Sequence, residues 1–141
     1  MFKAVIFDFD GVLVDSGIVT MEARSRAFSS FVYELSQEVR RLIFGLHSEE
    51  YTIVFQKKLG FSEETRKALV KKISEEIDLI FEGFIKPMPH VKEILEFLKT
   101  RGVIAGIATT NRQRRIDIFL NKFGLGSFFN FSVTHEDITK R

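Results

Sequence analysis

Apolar positions along the chain change period several times, and each change predicts an element. Ala4-Val5-Ile6-Phe7 is a continuous β-branched and aromatic run. With Lys3 it predicts a first strand, buried on both faces of a parallel sheet. From Ile18 to Phe31 the spacing turns helical, with Ala23, Ala27 and Phe31 on one face. Val32 to Phe44 continues likewise through Val39, Leu42 and Ile43, and Gly45 ends it. Ser48 predicts the N-cap of a third helix, with Tyr51, Val54, Phe55 and Leu59 inward and Gly60 as the stop. Ser62 caps a fourth, Glu63 and Glu64 suit its first turn, and Leu69, Ile73, Ile77, Ile80 and Phe81 mark its stripe to about Glu82. Pro87 and Pro89 then interrupt. Val91, Ile94, Leu95 and Leu98 form a helix face ended near Gly102. Val103 to Ala108 reads as a second buried strand. Arg112 to Lys122 reads as a helix with Ile116, Phe119 and Leu120 inward, ended by Gly124. Phe128 to Val133 reads as a third strand.

Strand–helix–strand–helix–strand implies right-handed crossovers and a parallel sheet, an α/β fold. No strand-like run occurs between Ser16 and Gly83, so that stretch is read as a four-helix insertion. The expected organisation is a core made of residues 1–15 and 84–141 with a helical cap over 16–83. The chain of 141 residues is 45% apolar and 28% charged, ordinary for one globular domain or a small core carrying an insertion. Sixteen phenylalanines and no tryptophan predict a phenylalanine-rich core. A net charge of +2 argues against nucleic acid or an anionic membrane as partner. Without cysteine, disulfides and thiolate metal sites are excluded. No apolar run approaches the ~18 residues of a membrane span, and no signal-peptide pattern precedes the first strand. A cytoplasmic enzyme is therefore expected.

The first strand runs into Asp8 and Asp10, flanking Phe9 and followed by Gly11. Ligands of open α/β sheets bind beyond the carboxyl ends of the strands. Residues i and i+2 of extended chain share a face, so both carboxylates point one way while Phe9 turns into the core. Two close carboxylates repel unless a cation lies between them, and Mg²⁺ with oxygen ligands suits them. One could then attack while the other handles protons. Gly11 permits the turn and a close backbone approach to a ligand. A solvated acidic turn is the plainer reading of the same residues. An EF-hand is a poor fit, because Val12, Leu13 and Val14 stand where further ligands belong.

The second strand ends in Thr109-Thr110-Asn111, facing the same crevice. Thr109 can donate to a phosphate oxygen, and the amides near Thr110 and Asn111, at a helix start, suit an anion. The same residues also serve as ordinary caps. Arg112, Arg114 and Arg115 read as a solvated helix face. Gly102 and Gly106 lack dinucleotide-fingerprint spacing. His47, His90 and His135 lack ligand spacing. Arg24, Arg26 and His47 read as surface or cap packing rather than substrate contacts.

Asp8-Phe9-Asp10-Gly11-Val12-Leu13-Val14-Asp15-Ser16 closely resembles the first motif of the haloacid dehalogenase-like hydrolase superfamily, in the branch with phosphoglycolate phosphatases and β-phosphoglucomutase. The resemblance extends to the layout, because that superfamily has a Rossmann-like core with a helical cap inserted just after this motif. Pro89-His90-Val91-Lys92-Glu93-Ile94-Leu95 resembles its usual P-G-V helix start, with His90 where glycine is common. Ile107-Ala108-Thr109-Thr110-Asn111 resembles its second motif, with Thr109 in the hydroxyl role. The resemblance implies a Mg²⁺-dependent phosphate monoester hydrolase. Asp8 would be the nucleophile, forming an aspartyl-phosphate. Asp10 would protonate the leaving oxygen and then activate water. Mg²⁺ would be held by the Asp8 carboxylate and the Asp10 main-chain carbonyl, and Thr109 with Gly11, Thr110 and Asn111 would hold the phosphoryl group. The implied substrate is a small phosphorylated metabolite.

Two further family motifs, a lysine after the third strand and an acidic pair after a fourth, have no match. Lys140 is a poor substitute by register, and Glu136 and Asp137 read as loop residues. The chain is therefore expected to be the amino-terminal part of a family member, whose first strand is a bare apolar edge covered by a second copy, a swapped element or a complementing carboxyl-terminal segment. The alternatives are a non-catalytic or truncated subunit, and a phosphomutase, which differs from a hydrolase in how its cap excludes water.

Overall fold

The computed structural model describes residues 2–44, 46 and 48–137. The expectations placed on Gly45, His47 and Lys140 lie outside the described residues. The chain divides into two compact units, residues 1–16 with 85–141, and residues 17–84.

In the first unit, β1 (Ala4–Phe7), β2 (Ile104–Ala108) and β3 (Phe131–Val133) form a parallel sheet in the order β1-β2-β3. Ala4 pairs with Ile104 and Phe7 with Ile107, and Gly106 pairs with Phe131. The central β2 is buried over Ala105, Gly106 and Ile107. A Cβ on Gly106 would run into the Phe131 ring opposite, so any larger residue here would displace that ring. β1 departs from the expectation of burial on both faces: Ile6 is 63% exposed. It is an edge strand, paired on one side only among the described residues. The expected strand start at Phe128 is also displaced, because Gly126–Phe128 forms a 3-10 turn and β3 begins at Phe131.

The helix after Pro89 (Val91–Thr100) buries Val91, Leu95 and Leu98, while Ile94 faces out at 41% exposure. We number it α5, after the four helices of the other unit. The last helix, α6 (Gln113–Phe123), buries Ile116 and Phe119 and ends on Gly124 at φ 64°, a left-handed C-cap. His90, standing where the resemblance favours glycine, caps α5 at φ 64° and ψ 11°. A side chain costs energy in that left-handed well, and the exposed His90–Glu93 contact at 3.5 Å returns little. His90→Gly is expected to stabilise the protein by about 0.5–1 kcal/mol, seen as a rise of a few degrees in Tm. An unchanged or lower Tm would contradict it.

The chain leaves and re-enters this unit at adjoining points. The Asp15 N–H donates to the Lys86 carbonyl at 2.8 Å, and the Met88 N–H donates to the Leu13 carbonyl at 2.9 Å.

The second unit holds four helices, α1 (Gly17–Ser30), α2 (Gln37–Ile43), α3 (Ser48–Leu59) and α4 (Glu63–Phe84). Ala27, Phe28, Leu35, Ile43, Tyr51, Phe55, Leu69 and Ile73 make its core. α2 starts later than its apolar spacing predicts. Val32 adopts φ 59°, nearly fully exposed, and Ser36 caps the helix by accepting the Val39 N–H at 3.2 Å. In α3, Thr52 is buried where Val54 was expected, and Ser48 is the first helical residue rather than a cap before it. Ser62 caps α4 as expected, accepting the Thr65 N–H at 3.0 Å.

Arg24 packs inside this unit, as the packing reading has it. Its Nη1 and Nη2 donate to the carbonyls of Ile43 and Leu46, both at 2.6 Å, and its guanidinium lies 4.6 Å from the centre of the Tyr51 ring. Burial lowers the pKa of Arg24 and raises that of the Tyr51 hydroxyl. Phenylalanine does build both cores: Phe9, Phe28, Phe55, Phe81 and Phe119 are buried, whereas Phe2, Phe44 and Phe97 face outward.

Candidate active site

β1 delivers Asp8 and Asp10 to the carboxyl edge of the sheet. Between them Phe9 is fully buried, edge-on to Phe119 with ring centres 5.3 Å apart. That contact anchors the segment and leaves both carboxylates exposed. Asp8 Oδ1 accepts the Phe9 N–H at 2.6 Å. The chain then reverses tightly: the Phe9 carbonyl accepts the N–H groups of Leu13 and Val14, both at 3.0 Å, and the Gly11 N–H donates to the Val14 carbonyl at 2.8 Å. Gly11 sits at φ 73° with open space where a Cβ would be, so the backbone angle and not crowding demands glycine here. Buried Leu13 and Val14 hold the far side of the turn.

Because β1 and β2 are parallel neighbours, Thr109, Thr110 and Asn111 emerge beside Asp8 and Asp10. The Thr109 N–H donates to the Val133 carbonyl at 3.0 Å, which ties the end of β2 to β3. Thr109 Oγ1 accepts the Asn111 N–H at 3.1 Å and keeps its own O–H as a donor. Thr110 is exposed at the tip. Asn111 joins the two segments: its Nδ2 donates to Asp10 Oδ2 at 2.9 Å. Its Oδ1 accepts the Arg112 N–H at 3.0 Å and Arg115 Nη1 at 3.1 Å. Its carbonyl accepts the His135 N–H at 2.9 Å.

Two features escaped the sequence reading. Arg115 is half-buried against Asn111 rather than part of a solvated face, and the spacing of Asn111 and Arg115 at a helix start was the available signal. Glu136 and Asp137, read as loop, form a 3-10 turn with His135. Glu136 Oε2 accepts the Gln113 N–H at 3.1 Å and the Thr134 hydroxyl at 3.0 Å. The Gln113 N–H is the main reason the Glu136 pKa lies below the usual carboxylate range. The first turn of α6 thus already faces a carboxylate of the protein itself.

Asp8 and Asp10 offer oxygen donors only, the donor chemistry that suits Mg²⁺, which binds through one or two carboxylates and completes its shell with water and substrate phosphate. Among the described residues no group of three or more histidines and acids converges on a metal position.

The sequence profile of haloacid dehalogenase-like hydrolases matches residues 5–141. A phosphorylated carbohydrates phosphatase of Thermotoga maritima is 29% identical over 96% of this chain and 62% of its own length. A phosphoglycolate phosphatase of Synechococcus elongatus is 30% identical over 91% of this chain and 58% of its own. A solved Thermotoga maritima structure, described as a candidate β-phosphoglucomutase, superposes with a TM-score of 0.75 at 28% identity, covering 99% of this chain and 64% of that one. The chain thus spans about three fifths of the curated relatives it matches. With its motif at the end of β1, its parallel sheet and its inserted helices, the chain belongs to the haloacid dehalogenase-like hydrolase family.

Proposed function

We propose that this chain carries the nucleophile, the acid–base group and the phosphate-orienting residues of a Mg²⁺-dependent phosphate monoester hydrolase, acting on a small phosphorylated metabolite in the cytoplasm. The supporting observation is the meeting of Asp8 and Asp10, at the end of β1, with Thr109 and Asn111, at the end of β2. The names of the relatives, phosphatases of phosphorylated carbohydrates and of phosphoglycolate, favour the same substrate class. Among the described residues no helix is long and apolar enough to cross a membrane.

In this reading an oxygen of Asp8 attacks phosphorus, and the ester P–O bond breaks. Asp10 gives its proton to the departing oxygen, leaving an alcohol and an aspartyl-phosphate. Asp10 then takes a proton from water, which attacks phosphorus and releases phosphate and the free Asp8 carboxylate. Thr109 donates its O–H to a phosphoryl oxygen and fixes its orientation. The Asp8 carboxylate and the Asp10 main-chain carbonyl would hold Mg²⁺, whose charge would offset that of the phosphate. Dehalogenation has no departing oxygen to protonate, so Asp10 favours phosphate esters. Hydrolysis of an aryl phosphate is expected with Mg²⁺, falling to background in chelator and returning when Mg²⁺ is restored. Equal rates with and without chelator would defeat the metal-dependent reading.

A second reading concerns the free edge of β1. Ile6 at 63% and Phe2 at 86% exposure put apolar surface beside a strand edge with no strand partner among the described residues, a template for further pairing. In the working protein this edge is covered by a second copy or by a complementing segment that completes the site. Size-exclusion chromatography of the 141-residue chain alone should show self-association. A well-behaved monomer over a wide concentration range would count against it.

A further inference from the structure

We propose that Asn111, held by Arg115, is a positioning residue for Asp10 and selects which of its two carboxylate oxygens performs proton transfer. The inference rests on the acid–base reading of Asp10 and adds to it a residue that acts through Asp10 rather than on the phosphate.

The argument begins with the side-chain amide. An asparagine amide can be turned either way, and its surroundings decide which. Here Oδ1 faces two donors, the Arg112 N–H at 3.0 Å and Arg115 Nη1 at 3.1 Å. Turned over, the NH₂ would meet those two donors and the carbonyl would meet the Asp10 carboxylate, three repulsive pairs in place of three hydrogen bonds. Nδ2 therefore points at Asp10 Oδ2, 2.9 Å away. The main chain of Asn111 is fixed as well, its N–H on Thr109 Oγ1 at 3.1 Å and its carbonyl under the His135 N–H at 2.9 Å. Asp10 itself is exposed and sits just before a glycine at positive φ, so burial does little to restrain its carboxyl group. Asn111 supplies that restraint across the β1–β2 boundary. With Oδ2 engaged, Oδ1 is the oxygen left to face a departing group. The main-chain amides of Asn111 and Gln113 are also engaged, on Thr109 Oγ1 and on Glu136 Oε2.

A general acid must lie within hydrogen-bond reach of the oxygen it protonates, and small misplacements are costly. The effect should therefore depend on the leaving group. An alkyl phosphate needs the proton, whereas a p-nitrophenyl phosphate departs readily without it. Because kcat/KM reports events up to the first irreversible step, it isolates the transfer to Asp8 from the later attack by water.

The test measures kcat/KM of the intact protein with Mg²⁺ for both esters, in wild type, Asn111→Ala, Arg115→Met and Arg115→Lys. Asn111→Ala is expected to lose roughly 10²-fold on the alkyl ester and only a few-fold on the p-nitrophenyl ester. Arg115→Met should show the same selective loss to a smaller degree, and Arg115→Lys, which keeps a donor for Oδ1, should recover most of it. Equal losses on both esters would mean that Asn111 is merely structural, and a raised KM at constant kcat would mean a phosphate ligand; either overturns the positioning role while the hydrolase reading stands. A wild-type protein inert toward both esters, alone and with a complementing carboxyl-terminal segment added, would overturn the hydrolase reading and the positioning role together.

Discussion

Asp8→Asn is expected to abolish Mg²⁺-dependent phosphate ester hydrolysis, by at least about 10⁴-fold in kcat, while the fold survives. The size follows from the chemistry. An amide oxygen is a far weaker nucleophile than a carboxylate, and it cannot form an acyl phosphate that water later cleaves to regenerate the enzyme. The survival of the fold follows from the geometry. Asp8 is exposed, its Oδ1 accepts one hydrogen bond from the Phe9 N–H, and an asparagine oxygen accepts the same bond. The buried anchor of the segment is Phe9, which is untouched. Steady-state assays beside far-UV circular dichroism would check both halves. Full activity in the variant would remove Asp8 from its role and the aspartyl-phosphate with it. Lost activity with a lost fold would contradict the geometric half.

Phe28→Ala should cost about 3–5 kcal/mol of stability. Phe28 is fully buried and sits among three rings, with centres 5.1 Å from Phe55, 5.8 Å from Tyr33 and 6.4 Å from Tyr51. Truncation removes its buried area, leaves a cavity and cancels several ring contacts together. Those contacts contribute beyond area alone, about 0.5–1.5 kcal/mol for a good aromatic pair. Domain stabilities are about 5–15 kcal/mol, so this single change removes a large share. Urea denaturation should show a lowered midpoint with little change in slope, and Phe28→Leu should recover much of the loss. A midpoint within error of wild type would mean that the cluster is not the centre of the helical unit.

The parts of the protein that were legible in its sequence are those written in adjacent residues. Asp8-Phe9-Asp10-Gly11 carries a strand end, a buried anchor and a turn within four positions, and the structure places each of them so. Gly60 and Gly124 likewise mark helix ends, both at positive φ. The misreadings have a common cause. Val32 fits a helical period yet sits in the left-handed well, because the start of α2 is decided by the Ser36 cap, a polar signal hidden inside an apolar pattern. Arg115 and Glu136 look like surface charges one at a time. Their roles come from partners elsewhere: the amide of Asn111 and the first turn of α6. Periodicity reports which face of an element is apolar. It does not report which distant polar atom a buried or half-buried charge will find.

The adjoining exit and entry points of the sheet-bearing unit have a consequence for how such a protein changes over generations. Leu13 with Met88, and Asp15 with Lys86, form a hydrogen-bonded clasp that closes before residues 17–84 begin and after they end. Closing a longer or shorter stretch across a clasp already made costs little, since loop entropy grows only with the logarithm of length. The stretch between the clasped ends is in effect a cassette. Its length and composition can drift, or be replaced outright, while the register of β1 against β2 and the turn bearing both aspartates stay as they are.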